Sequence, residues 1–256
     1  NSEPYLLNWI TKNYLNGQHT AFVKAYDTLG NTANSETINL TLNNFLIFNK
    51  TFGVPDNAED GYSVIETSDQ GYAVLGNSGS ENKDISLLKI DSYGNQIWIQ
   101  SYGGSQYDEA RHFQETFDGG FIISGITKSY GYGEEDIWII KTNASGLIDW
   151  NVNFGEGQND RGAQILQTDE GGYIVIGEKY NIDLENSDLW LLKINSQGEL
   201  SWEKTLGSTG DDRGYDIKNN RSGGYLLLGS TNSFGNGGSD IWLINTDSDG
   251  NEIWSK

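Results

Sequence analysis

The residues of this chain that could carry out chemistry are mostly carboxylates. The 256 residues include 36 Asp and Glu, 2 His and no Cys. The lack of cysteine excludes disulfides, thiolate metal sites, iron–sulfur clusters and a cysteine nucleophile. His19 and His112 stand in unlike sequence contexts, and the chain has no H-x-H, H-E-x-x-H or G-x-S-x-G motif. No single sequence motif therefore predicts a catalytic centre.

One set of acidic residues has the regular spacing that a shared ion would need. Glu59, Asp108, Asp160 and Asp212 are each followed two residues later by Gly or Ala. Carboxylates gathered at the mouth of a channel concentrate negative potential, and hard cations prefer several oxygen ligands. We therefore take these four as candidate ligands of a calcium or sodium ion. The alternative is that they cap turns, and we predict no other cofactor.

Two further places depart from the regular pattern and are candidates for binding a ligand. Arg111 and His112 stand side by side in a chain with only four arginines. Tyr130 and Tyr132 belong to a variable loop that also carries Glu134 and Glu135, a mixture found on carbohydrate-binding and protein-binding surfaces. The alternative for this loop is sequence drift on an exposed surface.

Four N-x-S/T sequons are candidate glycosylation sites if the protein is secreted. Their acceptor residues are Asn39, Asn49, Asn143 and Asn220.

The elements that must position these residues come from an internal repeat of about 52 residues. One tryptophan series, a second tryptophan series and an aspartate series all recur at this period. They are Trp98, Trp150, Trp202 and Trp254; Trp138, Trp190 and Trp242; and Asp84, Asp136, Asp188 and Asp240. Each aspartate opens an apolar run, where it serves either as a cation ligand or as a turn cap. Because every unit keeps it, we favour the turn cap.

Each repeat divides into four strand-like segments separated by glycine turns. Four strands per unit at this period are typical of a β-propeller blade, whereas β-solenoids repeat at shorter periods. We predict an all-β protein with four visible blades, at residues 45–98, 99–150, 151–202 and 203–256. The 33 glycines and 2 prolines fit many short strands and disfavour a helical fold.

The repeat motifs resemble a known group of proteins. In this sequence they read Thr116-Phe-Asp-Gly-Gly-Phe121, Asp136-Ile-Trp-Ile-Ile-Lys141 and Asp247-Ser-Asp-Gly-Asn-Glu-Ile-Trp254. They are similar to the secreted β-propeller repeat proteins of archaea and bacteria, which are loosely related to kelch and quinoprotein-like propellers. The resemblance covers about Phe45 to Lys256. It implies a propeller fold and a surface or secreted location.

Residues 1–44 follow a different pattern. The segment from Gly17 to Asn31 reads G-x-H-T-x-x-V-x-A-Y-D-x-x-G-N and precedes an alternating strand. It resembles the last strands of bacterial and archaeal immunoglobulin-like or fibronectin-like surface domains. We therefore expect the C-terminal part of a β-sandwich here.

The segment from Phe45 to Phe52 looks like the fourth strand of a blade. Two expectations follow for the number of blades. In the first, the chain is part of a longer protein with more blades downstream of Lys256. In the second, Phe45 to Phe52 closes a ring of four blades.

The charge balance restricts the partners of the protein. A formal charge of −20 repels nucleic-acid phosphates and anionic membranes, and no apolar run predicts membrane insertion. We expect a non-enzymatic extracellular or cell-surface structural or adhesion protein whose propeller binds surface proteins or glycans, or assembles with itself. The alternative is an extracellular glycan-active enzyme or its carbohydrate-binding accessory propeller.

Overall fold

The computed structural model describes residues 17–21, 24–26, 29–34, 36–42, 48–53, 57–80 and 82–256. The chain forms two compact units, Asn1–Asn49 and Lys50–Lys256. The described residues of both units contain strands and turns and no helix. Accordingly, no helix among these residues is long and apolar enough to cross a membrane.

The described residues of the first unit form two antiparallel pairs of strands. Its strands are β1 (Gly17–Ala21), β2 (Lys24–Tyr26), β3 (Thr32–Asn34) and β4 (Ile38–Leu42). β1 pairs with β4, and β2 pairs with β3. The alternating strand expected before residue 44 is therefore present as β4.

The second unit contains four antiparallel sheets, each built from four strands that are consecutive in the chain. Sheet 1 holds β5 (Glu59–Glu66), β6 (Tyr72–Ser78), β7 (Asp84–Ile90) and β8 (Gln96–Tyr102). Sheet 2 holds β9 (Asp108–Glu115), β10 (Phe121–Thr127), β11 (Asp136–Thr142) and β12 (Ile148–Phe154). Sheet 3 holds β13 (Arg161–Gln167), β14 (Tyr173–Asn181), β15 (Asn186–Ile194) and β16 (Leu200–Leu206). Sheet 4 holds β17 (Asp212–Asn219), β18 (Tyr225–Thr231), β19 (Asp240–Thr246) and β20 (Glu252–Ser255).

The turn between the third and fourth strands is built in the same way in all four sheets. In sheet 2 the Asn143 side-chain oxygen accepts hydrogen bonds from the backbone N–H groups of Ser145 (2.9 Å) and Leu147 (3.1 Å). Gly146 then takes a φ of +75°, which glycine adopts at little cost. The repeated [DN]-x-x-G signature is therefore a self-capped hairpin turn.

The core lies between successive sheets, because each sheet is apolar on both faces. The interface between sheets 1 and 2, for example, packs Leu75, Ile85 and Leu87 against Phe113 and Trp138. Equivalent apolar clusters join sheets 2 and 3 and sheets 3 and 4. The first strands of neighbouring sheets also pack against one another. This arrangement is the one expected for a propeller-like repeat.

Every first strand contains a β-bulge, which adds one residue opposite the second strand. In sheet 2 the pairing changes from His112–Ser124 to Ala110–Gly125, which leaves Arg111 as the extra residue. The extra residues of the other three sheets are Tyr62, Ala163 and Tyr215. A bulge redirects its side chain and is common beside binding sites.

The structure confirms the all-β class and the four strands per repeat. Each of the first three fourth strands runs four residues past its 52-spaced tryptophan and ends at Tyr102, Phe154 or Leu206. A closed ring is not seen, because the described strands show no extensive packing of β17 against β5. Of the segment from Phe45 to Phe52, residues 45–47 lie outside the described residues, and residues 48–52 are not assigned to a strand.

Candidate functional site

The first strands of sheets 2, 3 and 4 line one cleft with their bulge residues and the residues beside them. Arg161 and Arg213 occupy equivalent places one residue after the strand-start aspartate, and Arg111 and Tyr215 are bulge residues. Together with Glu178 these four side chains line a cleft of about 200 Å³, which we name the arginine cleft. Three of the four arginines in the chain thus lie at one site.

A second depression adjoins the arginine cleft, and Arg111 and Arg161 line both. This depression has a volume of about 460 Å³ and is also lined by Tyr107, Glu109, Lys128 and Glu135. Together the two cavities are large enough for a small ligand such as a few sugar rings. Their linings offer both hydrogen-bond donors and acceptors.

Glu178 lies between two arginines of the cleft, Arg161 and Arg213. Its Oε2 is 2.9 Å from Arg213 Nε, and its Oε1 is 3.6 Å from Arg161 Nη1. The Glu178 side chain is only 13% exposed, and its burial raises the pKa of the carboxyl despite both arginines. Oε2 has no hydrogen bond of good geometry, so the carboxylate is incompletely satisfied.

Glu135 also contacts Arg161, but its pKa is shifted in the opposite direction from that of Glu178. Its Oε2 accepts a hydrogen bond of 2.5 Å from Arg161 Nε, and Lys128 Nζ lies 3.2 Å from its Oε1. Burial alone would raise its pKa, but the hydrogen bonds from Arg161 and Lys128 outweigh burial and hold the pKa below its usual range. Two carboxyl groups with oppositely shifted pKa values therefore flank one arginine.

Arg111 and His112 were predicted together, but the structure separates their side chains. Arg111 is exposed in the cleft, where its Nη1 lies 3.2 Å from Glu109 Oε1. His112 is half-buried beside Gln164 of sheet 3, with 3.5 Å between the two Nε2 atoms. Burial, and then the charge of Lys218, lowers the pKa of His112. Only Arg111 therefore lines the cleft.

Tyr130 and Tyr132, which were also predicted together, differ in the same way. The Tyr130 ring lies 5.0 Å from the Trp138 ring, and its hydroxyl donates a hydrogen bond of 2.8 Å to the Gly103 carbonyl. Tyr132 is 79% exposed, and neither tyrosine lines the arginine cleft. Tyr130 supports its loop, whereas Tyr132 offers a free ring to solvent.

The predicted acidic set is not gathered around a common centre in the described residues. Asp108, Asp160 and Asp212 are buried between successive sheets, and Glu59 is partly buried. Asp108 Oδ2 accepts hydrogen bonds from the Gly104 N–H (2.9 Å) and the Ser129 hydroxyl (2.7 Å). No group of three or more His, Asp or Glu within the described residues is placed to hold a metal ion. The contacts of Asp108 are those of a turn cap.

The aspartates that open the apolar runs of the third strands lie close to this acidic set at each interface between successive sheets. A Cβ atom at Gly103 would collide with the carboxylate of Asp84 and contact that of Asp108. Gly155 and Gly207 lie in the same way between Asp136 and Asp160 and between Asp188 and Asp212. Burial, and then the neighbouring carboxylate, raises the pKa of Asp84 and of Asp188.

The candidate glycosylation sites differ in how freely their amides could be modified. Asn39 and Asn49 are exposed, whereas Asn143 is half-buried and caps its turn. The Asn220 amide nitrogen donates hydrogen bonds to Asn245 Oδ1 (2.8 Å) and the Thr246 carbonyl (2.9 Å). A glycan on Asn220 would disrupt these bonds.

Arg111 was predicted from the sequence as a candidate binding residue. Its neighbours Glu178, Glu135 and Tyr215 were not predicted. Glu178 follows the invariant glycine of the second strand, where the other repeats have Asn77, Ile126 and Ser230. The available signal was that this position varies although the glycine before it is kept in every repeat. The sequence does not reveal the bulge in the facing first strand, so it did not indicate that Glu178 lies in a cleft.

The chain was also compared with known proteins. No protein-family model matches it, and the search of curated proteins found no match.

Proposed function

We propose that this chain is a non-enzymatic binding module of an extracellular or cell-surface structural or adhesion protein. Its propeller-like unit would be the scaffold, and its first unit would be the end of an immunoglobulin-like sandwich. The observation that supports a binding role is the arginine cleft, in which three arginines meet on a chain of net charge −20.

We further propose that the ligand is a surface glycan. The guanidinium groups of Arg111, Arg161 and Arg213 donate hydrogen bonds, and the Glu178 carboxylate accepts them. Tyr215, which is 53% exposed, adds an aromatic face of the kind that packs on sugar rings. The arginine cleft and the second depression together hold four cationic side chains and three carboxylates, and this near balance of charge favours a hydroxyl-rich ligand over a polyanion.

The test is to measure glycan binding by the chain and by its Arg111→Ala and Tyr215→Ala variants. Each variant should weaken binding at least about tenfold, because each removes a direct contact. Arg221→Ala is the matched control, since Arg221 is an exposed turn residue that does not line the cleft. Glycan binding that is the same in all variants would contradict the proposed site.

One observation favours a glycan-active enzyme as the second candidate. Glu178 and Glu135 have oppositely shifted pKa values and both contact Arg161. A general acid and a general base of a glycosidase differ in this way. Polysaccharide cleavage by the chain, abolished by Glu178→Gln, would favour this candidate over the binding module.

A further inference from the structure

Glu178 is the only acidic side chain among the described residues that line the arginine cleft. It follows the glycine that every second strand keeps, and no other sheet has an ionisable residue at this position. The equivalents are Asn77, Ile126 and Ser230. The charge of the cleft lining therefore depends on the protonation of this one carboxyl group.

The contacts of Glu178 do not fully satisfy an ionised carboxylate. Its Oε2 lies 2.9 Å from Arg213 Nε but forms no hydrogen bond of good geometry, and its Oε1 lies 3.6 Å from Arg161 Nη1. Oε2 is also buried, so solvent does not replace the missing hydrogen bond. A buried carboxylate in this state is costly, whereas a protonated carboxyl group carries no charge that must be compensated.

Four charged groups face Glu178 from the elements around it. Arg161 and Arg213 lie on the first strands of sheets 3 and 4, Arg111 lies on that of sheet 2, and Asp211 directly precedes β17. Burial opposes ionisation of Glu178 most strongly, and Asp211 opposes it as well, whereas the three arginines favour it. Because burial outweighs the arginines, the pKa of Glu178 is raised. Glu178 therefore gains its proton at a higher pH than an ordinary glutamate.

Protonation of Glu178 affects Arg213 more than the other arginines. Arg161 keeps its hydrogen bond to Glu135, but the second acidic neighbour of Arg213 is Asp211, whose Oδ2 lies 3.6 Å from Nη2. The Arg213 side chain is 45% exposed and lines the cleft, so an anion from solvent can reach it. The planar guanidinium group binds oxyanions through parallel N–H groups.

We propose that Glu178 switches the ligand preference of the arginine cleft with pH. The ionised carboxylate accepts hydrogen bonds from the hydroxyl groups of a neutral glycan and repels anions. The protonated form leaves Arg213 free to bind the single anionic group of an acidic sugar, such as a sulfate ester or a carboxylate. The part that concerns neutral glycans rests on the proposed function, whereas the gain in anion binding does not.

The test measures the affinity of the chain for inorganic sulfate by calorimetry at a series of pH values from about 7 down to about 5, above the ordinary pKa of glutamate. Sulfate keeps its charge over this range. Its affinity should rise about tenfold as the pH falls, because a negative charge beside the bound anion is removed. The carbon NMR resonance of the Glu178 carboxyl group should titrate over the same range.

Glu178→Gln imitates the protonated form. At about pH 7 it should bind sulfate about tenfold more tightly than the native chain, and its affinity should no longer depend on pH. The same variant should bind a neutral glycan more weakly, so the two affinities change in opposite directions. The matched control is Glu252→Gln, because Glu252 is an exposed residue of β20 that does not line the cleft.

Two further variants locate the bound anion. Arg213→Ala should lose sulfate binding over the whole pH range, because it removes the proposed anion-binding group. Arg221→Ala should keep it, because Arg221 is an exposed turn residue that does not line the cleft. A monosulfated glycan should bind more tightly than inorganic sulfate at about pH 5, since its hydroxyl groups add contacts.

Three results would overturn the proposal. One is a sulfate affinity of the native chain that does not rise as the pH falls. Another is a rise of the same size in Glu178→Gln, which would assign the effect to a different group. The last is a monosulfated glycan that binds no more tightly than sulfate, which would refute the acidic sugar as the ligand. A chain that binds no neutral glycan but changes its sulfate affinity as expected would refute the proposed function alone.

Discussion

Trp150 lies directly against the backbone of Gly198 in the neighbouring sheet. A Cβ atom at Gly198 would stand 2.8 Å from Cε3 of the indole. Trp98 and Gly146, and Trp202 and Gly250, repeat this contact at the other two interfaces. The glycine of the [DN]-x-x-G turn and the 52-spaced tryptophan are therefore two halves of one contact between sheets.

We expect Gly198→Ala to destabilise the protein more than Gly171→Ala. Both glycines have a φ of +83°, but a Cβ at Gly171 would have no atom within 4 Å. Alanine therefore causes the same backbone strain at both positions. The difference between the two losses of unfolding free energy measures the clash with Trp150. Overpacking of this kind costs about 1–3 kcal/mol. Urea unfolding of the two variants measures the difference, and equal losses would contradict the expectation.

We expect Asp118→Asn to cost about 1–2 kcal/mol of unfolding free energy at pH 7. The Lys141 side chain is 5% exposed, and its Nζ lies 2.9 Å from Asp118 Oδ2. Burial opposes ionisation of Asp118, but hydrogen bonds from Thr116, Lys141 and the Gly120 N–H lower its pKa to about 2. The cost is kept small because the Asp118 side chain is 61% exposed.

The pH dependence of this variant follows from the lowered pKa. In the unfolded chain the Asp118 carboxyl has a pKa of about 4, so the stabilisation that the ionised carboxylate gives the folded state is complete above that pH. It is lost as the pH falls through the folded pKa of about 2. Unfolding curves of the protein and of Asp118→Asn should therefore converge near pH 2. Replacement of the exposed Asp169 by Asn is the control, and a gap that persists at pH 2 would contradict the assignment.

We expect Glu178→Gln to stabilise the fold while it weakens ligand binding in the arginine cleft. Burial raises the folded pKa of Glu178, so the ionised form at pH 7 opposes folding. The gain should be about 1 kcal/mol or less and should disappear as the pH falls below about 4, where the carboxyl is protonated in both states. Thermal unfolding across this pH range measures it. Glu252→Gln serves as an exposed control, and a loss of stability in Glu178→Gln at pH 7 would contradict the prediction.

We expect His112→Gln to flatten the dependence of stability on pH between about 7 and 5. Burial lowers the folded pKa of His112, so the unfolded state binds the proton more readily. The corresponding stability is present above the unfolded pKa of about 6.5 and is lost as the pH falls. Thermal unfolding at a series of pH values compares this variant with His19→Gln, which changes the other histidine. An unchanged slope in His112→Gln would assign the pH dependence to other groups.

Much of the fold could be predicted because each strand and turn is specified within a few residues. The 52-residue period, the self-capping Asn143 and Gly146 and the alternating apolar residues are all local signals. A contact is kept here although its residues change: Lys141 contacts Asp118 in sheet 2, whereas its equivalent Asn245 in sheet 4 contacts Asn220, which matches Thr116.

The candidate site was less predictable because it depends on residues that are distant in sequence. Arg111 was recognised as a departure from the repeat, but the other side chains of the arginine cleft come from sheets 3 and 4. His112 was predicted with it because the two are adjacent in sequence, yet Arg111 is the extra residue of a β-bulge, which redirects its side chain. The candidate metal residues Asp108, Asp160 and Asp212 were expected to converge, but each lies at a separate interface between sheets.

The residue pattern specifies an all-β chain of four repeated four-stranded units, because hydrogen-bonded hairpins depend on local residue types. Which side chains meet depends on how the sheets pack. The bulge at Arg111, the burial of Glu178 between two arginines and the exposure of Ile241 all depend on how neighbouring sheets pack. A repeat gives equivalent residues the same local structure, but packing gives the first and last sheets different neighbours.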